Sequence, residues 1–188
     1  MPHRIAGHDV TYRRWTWVLL LAGASFVFSL ALACATPFAA LAALGALVLK
    51  KVDAFAVAIL AWLINQAVGF GLLGYLTDPM TLAWGLAIGL SAVAAAAAAM
   101  LTVQAFVLRG ILLCALLTWA AALGAQQLVI YLATFRLPSD PAAFAPSVLL
   151  GIAWTNALAF VVLAALQILG AKLRLSAPLI GLERFQTG

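Results

Sequence analysis

Charge is what this sequence has least of. Asp, Glu, Lys and Arg make up 8% of its 188 residues, against 67% hydrophobic, and the mean hydropathy is +1.18. A soluble domain carries about 25% charged residues, so composition alone excludes that class and makes the bilayer the solvent. Both histidines, His3 and His8, lie in the first eight residues. No Asp, Glu, Lys, Arg or His falls in the middle of any apolar run, and Arg109 sits at a boundary. Proton-coupled pumps and ion exchangers need ionisable groups at membrane depth. Intramembrane proteases and metal enzymes need sets of His, Asp or Glu there. The expectation is therefore a protein that is not an enzyme and has no cofactor. No ring of polar residues marks a channel. The two cysteines, Cys34 and Cys114, lie in different apolar runs without metal-type spacing, which argues against a disulfide framework. The net charge of +5 does not point to nucleic acid, because the basic residues stand at the ends of apolar runs.

What is present is a succession of such runs. A spanning helix needs roughly 20 apolar residues, so a chain of this length has room for about six spans with short connections. The first run goes from Trp15 to Ala33, opened by the interfacial residues Trp15 and Trp17. Thr36-Pro37 reads as a helix start, with Thr as N-cap and Pro at the first helical position. The run that follows stops at Lys50-Lys51; being short, it is expected to be tilted or shielded by neighbours. The third run, from Ala54 to Gly74, ends in a polar turn where Asp78-Pro79 repeats the start signal. The fourth reaches Leu101 and contains the alanines 94 to 99, whose small side chains permit close helix packing. The fifth covers Gly110 to Ala133; Arg136 to Pro146 is the longest loop; the sixth runs from Ser147 to Gly170.

Alternate connections of a bundle lie on one side. With six spans, Arg4, Arg13, Arg14, Lys50, Lys51, Arg109, Lys172, Arg174 and Arg184 share a side and Arg136 stands alone opposite. Cytoplasmic loops carry the excess of Lys and Arg, so both termini are expected inside. The expected organisation is all-α: a cytoplasmic tail over residues 1–14, a multi-pass transmembrane domain of six helices over 15–171, and a cytoplasmic tail over 172–188. The first span reads as retained, since no cleavage site followed by a soluble domain is seen.

Uncharged hydrogen-bonding and aromatic residues collect toward the outer half. They are Asn65 and Gln66 in the third helix, Gln126, Gln127 and Tyr131 in the fifth, Trp154, Thr155 and Asn156 in the sixth, and Tyr75, Met80 and Trp84 around the third-to-fourth turn. Together they could wall a concave site for an uncharged or amphipathic small ligand. An Asn or Gln in a spanning helix serves equally as interhelical glue, and Trp or Tyr at helix ends as interface anchors. The alternatives differ in an observable way. A binding subunit should have an outward cavity lined by Asn65, Gln66, Trp84, Gln127 and Asn156, whereas a scaffold or assembly subunit should pack these residues against one another. On the first helix Ser25 and Ser29, and Ala31 and Ala35, are small-residue pairs four apart that would let another helix approach, within the chain or from a partner.

The stretch Trp62-Leu-Ile-Asn65-Gln66-Ala-Val-Gly69-Phe70-Gly71-Leu-Leu-Gly74-Tyr75, followed by Ala83-Trp84-Gly85, resembles the proteobacterial cobalamin-type (BtuM-like) members of the S components of energy-coupling-factor vitamin transporters. Six helices in under 200 residues with both ends inside are similar to that family over the whole chain. The resemblance implies a vitamin bound between the outer helix ends and loops, with cobalamin or a related corrinoid as transported ligand. It also implies an energising transmembrane subunit with ATPases, contacted through small residues of the first helix. Some members ligate cobalt through a cysteine in the third-to-fourth turn. This chain has Met80 there, leaving Cys34 and Met80 as the candidate soft ligands.

Overall fold

The computed structural model describes residues 18–30 and 36–172. Among these residues every regular element is helical: α1 (Val18–Leu30), α2 (Phe38–Val48), α3 (Lys51–Gly71), α4 (Pro79–Phe106), α5 (Ile111–Ala133) and α6 (Pro146–Lys172). Short 3-10 turns, Val107–Arg109 and Pro141–Phe144, precede α5 and α6. Both tails, and Ala31, Cys34 and Ala35, lie outside the described residues. Four helices, α3 to α6, are long and apolar enough to cross a membrane. At 1.5 Å per residue the 11 residues of α2 extend only about 16 Å, half the hydrocarbon thickness.

The short helix is the centre of the bundle. All of α2 from Phe38 to Leu47 is buried. Its sequence, FAALAALGALV, is apolar on every side, which suits a helix with no outward face. Its alanines and Gly45 keep it thin, so α3, α4, α5 and α6 all pack directly on it. The shielding expected from the short run is therefore complete. α4 supplies the matching small surface: Ala92, Ala95, Ala96 and Ala99, spaced i, i+3, i+4 and i+7, are all buried.

The outer surface of the long helices is the reverse. On α6, Leu150, Trp154, Leu158 and Val161 form one exposed stripe at helical spacing, and Leu86 and Leu90 on α4 and Leu112 and Leu116 on α5 do the same. Apolar stripes on every long helix would aggregate in water, whereas lipid covers them at no cost.

Helix ends follow their local chemistry. Asp78 caps α4 by accepting from the backbone N–H of Met80 at 2.9 Å and of Thr81 at 3.1 Å, with Pro79 at the first helical position. The Thr81 hydroxyl adds a 2.6 Å bond to the same carboxylate. Asp78 is thereby held below the usual 3.8, first by the Thr81 hydroxyl and next by the Thr81 N–H. Gly110, at φ 105°, takes a backbone conformation that other residues rarely adopt, and it turns the chain from α4 into the antiparallel α5 packed against it. The start of α2 departs from expectation. Pro37 is the N-cap and no local side chain serves the helix; the Thr36 hydroxyl is used elsewhere.

Candidate functional site

A helix that begins inside a bundle exposes its first N–H groups where no water can reach them. α2 solves this with side chains from other helices. Gln126 of α5 accepts from the Ala39 N–H through Oε1 at 3.1 Å, and Asn156 of α6 accepts from the Ala40 N–H through Oδ1 at 3.3 Å. Asn156 is 3% exposed, and its Nδ2 donates to the Ile152 carbonyl at 3.0 Å. An amide oxygen at the positive end of a helix is favoured by the dipole as well as by the bond.

A second polar cluster lies on the other side of the Thr36-Pro37 break. The Ser29 and Thr36 hydroxyls are 2.7 Å apart, and Asn65 donates to Thr36 Oγ1 at 3.0 Å. Gln66 Nε2 sits 3.5 Å from Asn65 Oδ1 and 3.5 Å from the Gly85 carbonyl, which also accepts from the Trp62 indole at 2.8 Å. Ser25 Oγ donates to the Ala61 carbonyl at 3.4 Å, so both described serines of the α1 pair face α3 and the α2 entry. Two glycines make the approach of α3 to α4 close. A Cβ on Gly85 would come within 2.8 Å of Gln66 Oε1, and one on Gly89 within 2.6 Å of the Trp62 ring. Gly85-x-x-x-Gly89 is a small-residue motif legible in the sequence, and its partners are Trp62 and Gln66.

Between α4, α5 and α6 the packing opens. α6 rests chiefly on α2 and touches α5 little, leaving two adjoining cavities. The deeper, about 420 Å³, has the start of α2 in its wall (Thr36, Phe38) together with Ser91, Gln126, Thr155 and Asn156. The second, about 400 Å³, lies under the α5–α6 connection and is lined by Trp84, Thr134, Pro138, Ser139, Ala143 and Phe144. Gln127, Ile130, Val148 and Ile152 line both. The size matches sites for small organic molecules, and the lining is mainly apolar with a few polar groups and no ionisable side chain.

The sequence-derived candidates are thus divided. Trp84, Gln127 and Asn156 stand on the cavity walls. Asn65 and Gln66 are packed into the α1–α3–α4 cluster and line neither cavity. Trp84 also donates to the Pro138 carbonyl at 3.2 Å, tying α4 to the α5–α6 connection. Tyr131 is held edge-to-face between Phe135 at 5.3 Å and Phe144 at 5.4 Å, beside that connection. Tyr75 packs its ring edge against Phe70 at 6.5 Å, and Met80 is exposed in the first turn of α4. Trp154, 73% exposed, lies on the apolar outer stripe of α6. Among the described residues no group of three His, Cys, Asp or Glu is placed to hold a metal. Gln126 and Thr155, neighbours of Gln127 and Asn156 in the sequence, are on the wall as well, and Thr36 and Ser91 are wall residues not anticipated from sequence. Gln126 adjoins Gln127, and only the position of α2 tells the two apart. Comparison of the chain with known protein families, curated proteins and solved structures finds no match.

Proposed function

We propose that this chain is a membrane-embedded binding subunit that takes an uncharged or amphipathic small molecule into the joined cavity between α4, α5 and α6, as a step in its uptake. The single observation that carries the reading is the cavity itself: a void lined by Trp84, Gln127, Thr155 and Asn156 in a bundle whose centre is otherwise closely packed. In the orientation set by the basic residues, with six membrane-embedded helices and both termini inside, the α5–α6 connection lies on the outer face and the cavity opens beneath it. The shorter α2 is then buried by the four longer helices, while α1 keeps Leu19, Phe26, Val27 and Leu30 exposed to lipid.

The ligand class follows the S-component resemblance, with a corrinoid first and another vitamin second. Met80 and Cys34 are the candidate cobalt ligands of that resemblance, although Met80 lines neither cavity and Cys34 lies outside the described residues, and the inner membrane of a bacterium is the proposed location. Uptake against a gradient would require an energising transmembrane subunit with ATPases, because the described spans offer no proton relay. The test is thermal unfolding of the purified protein with cyanocobalamin, cobinamide, riboflavin, thiamine and biotin. A ligand at 100 times its dissociation constant adds about 2.7 kcal/mol, enough to raise the midpoint visibly. A dose-dependent rise with one vitamin supports the reading.

A second reading is favoured by the Ser29–Thr36–Asn65–Gln66 cluster and the Gln126–Asn156 cap, where polar side chains join helices to one another. In a scaffold or assembly subunit, that is all they would do. No shift with any ligand, together with recovery of a stable membrane partner, supports that alternative.

A further inference from the structure

The cavity walls carry polar groups, and most of them are already used by the fold. Gln126 Oε1 and both amide atoms of Asn156 are engaged at α2 and α6. The Ser91 hydroxyl donates to the Ile88 carbonyl at 2.7 Å, Thr36 belongs to the cluster around Asn65, and the Trp84 indole holds Pro138. Two inner wall side chains make no hydrogen bond to any described residue: Gln127 and Thr155. For Thr155 this departs from habit. A helical threonine facing an apolar medium ordinarily donates to the carbonyl four residues back, as Thr102 does to Ala98 at 2.8 Å. Both side chains are half-buried on the cavity wall, so a ligand that displaces the cavity's water can take up the amide's donor and acceptor together.

Gly151 marks where that ligand lies. It lines the deeper cavity one helical turn before Thr155, and a Cβ built on it meets nothing within 4 Å. In a helix interior glycine is a poor choice, so its effect here is to leave room beside Thr155.

We propose that the ligand is a neutral molecule with an apolar body and one edge on which a hydrogen-bond donor and acceptor stand side by side, such as an amide, lactam, imide or ureide. This rests on the binding reading of the cavity given above. A primary amide offers an N–H donor and a carbonyl acceptor in one plane, and the edge that satisfies both is another amide-type edge, met by Gln127. Thr155 supplies the further hydroxyl contact, and Trp84, Phe144 and Ile130 cover the apolar body. No wall residue carries a charge, so a carboxylate, phosphate or ammonium would enter without a counter-charge and is discriminated against.

The test uses matched probes and the full chain in detergent: riboflavin with its N3-methyl derivative, nicotinamide with nicotinate, and biotinamide with biotin. Binding is read by isothermal titration, and folding by the unfolding midpoint without ligand. At least one neutral edge-bearing probe is expected to bind. Its blocked or charged counterpart should bind at least roughly tenfold more weakly, as should the probe itself to Gln127→Leu and to Thr155→Val. Gly151→Leu, which fills open space, should abolish binding while leaving the ligand-free midpoint unchanged or higher. A probe whose affinity is indifferent to Gln127→Leu and Thr155→Val but lost in Gly151→Leu overturns the amide-edge proposal and leaves the cavity as the binding site. A charged counterpart that binds as well as its neutral partner overturns the proposal likewise. Binding by none of the six overturns the amide-edge proposal, and the reading on which it rests falls with it only when cyanocobalamin and cobinamide also leave the unfolding midpoint unmoved.

Discussion

Replacing Asn156 by Leu removes one acceptor from the buried end of α2 and changes little else. The two side chains have the same branching, so the loss is chemical rather than a change of volume. The Ala40 N–H, bonded to Asn156 Oδ1 at 3.3 Å, is left without a partner where water does not reach. An orphaned buried donor costs about 1–3 kcal/mol. The Ile152 carbonyl, which loses the Asn156 Nδ2 bond, still lies within the α6 ladder and adds little. For a chain of this size the expected fall in unfolding midpoint is roughly 2–12 °C. Gln127→Leu is the internal control. It is also an amide-to-alkyl change on the cavity wall, but it breaks no bond of the fold, and its effect should stay within about 0.5 kcal/mol. Gln126→Leu should resemble Asn156→Leu, because it orphans the adjacent Ala39 N–H. In the double variant the first turn of α2 can no longer shift toward the surviving acceptor. The cycle should therefore show coupling above about 0.5 kcal/mol. Circular dichroism or intrinsic tryptophan fluorescence during heating reads the four variants beside the wild type. Equal midpoints for Asn156→Leu and Gln127→Leu would refute the division of the wall into groups that serve the fold and groups left for a ligand.

Gly89→Ala should destabilise by about 1–3 kcal/mol from overpacking, because its Cβ would fall 2.6 Å from the Trp62 ring. Moving that ring also breaks its 2.8 Å bond to the Gly85 carbonyl, about 1 kcal/mol more. Adding Trp62→Leu should make the combined loss smaller than the sum of the two single losses, and strict additivity would show that the contact is not made. Asp78, whose carboxyl is held below its usual value by Thr81, contributes to the α4 cap above the unfolded pKa. The contribution is lost as pH falls through the lower folded value. Carboxyl chemical shifts in an acid titration should give Asp78 a midpoint below 3.8 in the wild type, rising toward it in Thr81→Val. An unshifted midpoint in the wild type would remove the cap from the account.

Much of this arrangement is legible in the sequence because lipid imposes simple rules. Apolar length marked the four long helices, Asp78-Pro79 placed the start of α4, and Arg136 to Pro146 marked the α5–α6 connection. Bounds shifted by a few residues in both directions: α4 reaches Phe106 rather than Leu101, because helical hydrogen bonding continues into polar residues such as Gln104, whereas α3 stops at Gly71 rather than Gly74. The candidate site was legible as a set of residues but not as a division of labour. Asn65-Gln66 and Gln126-Gln127 are equivalent as sequence, each an amide pair in an apolar run. They differ because α2 begins beside one member of the second pair and Thr36 beside one member of the first. That distinction arises from a helix starting inside the bundle, which hydropathy does not reveal. Trp154 reads as a site residue from its neighbours Thr155 and Asn156. It falls outside the site because the helical period turns it onto the stripe of Leu150 and Leu158.

The most direct test of the binding account is the accessibility of the cavity from the outer face. In a background with Cys34→Ala and Cys114→Ala, Ile152→Cys places a thiol where both cavities meet, and Leu163→Cys places one in the packed interface beside α2. Right-side-out and inverted membrane vesicles are treated with a membrane-impermeant maleimide. The account predicts labelling of Ile152→Cys in right-side-out vesicles, slowed by a vitamin that raises the unfolding midpoint, and no labelling of Leu163→Cys from either side. An Ile152→Cys thiol that stays unreactive, or reacts only in inverted vesicles, would contradict an outward-opening ligand cavity and leave a closed structural bundle.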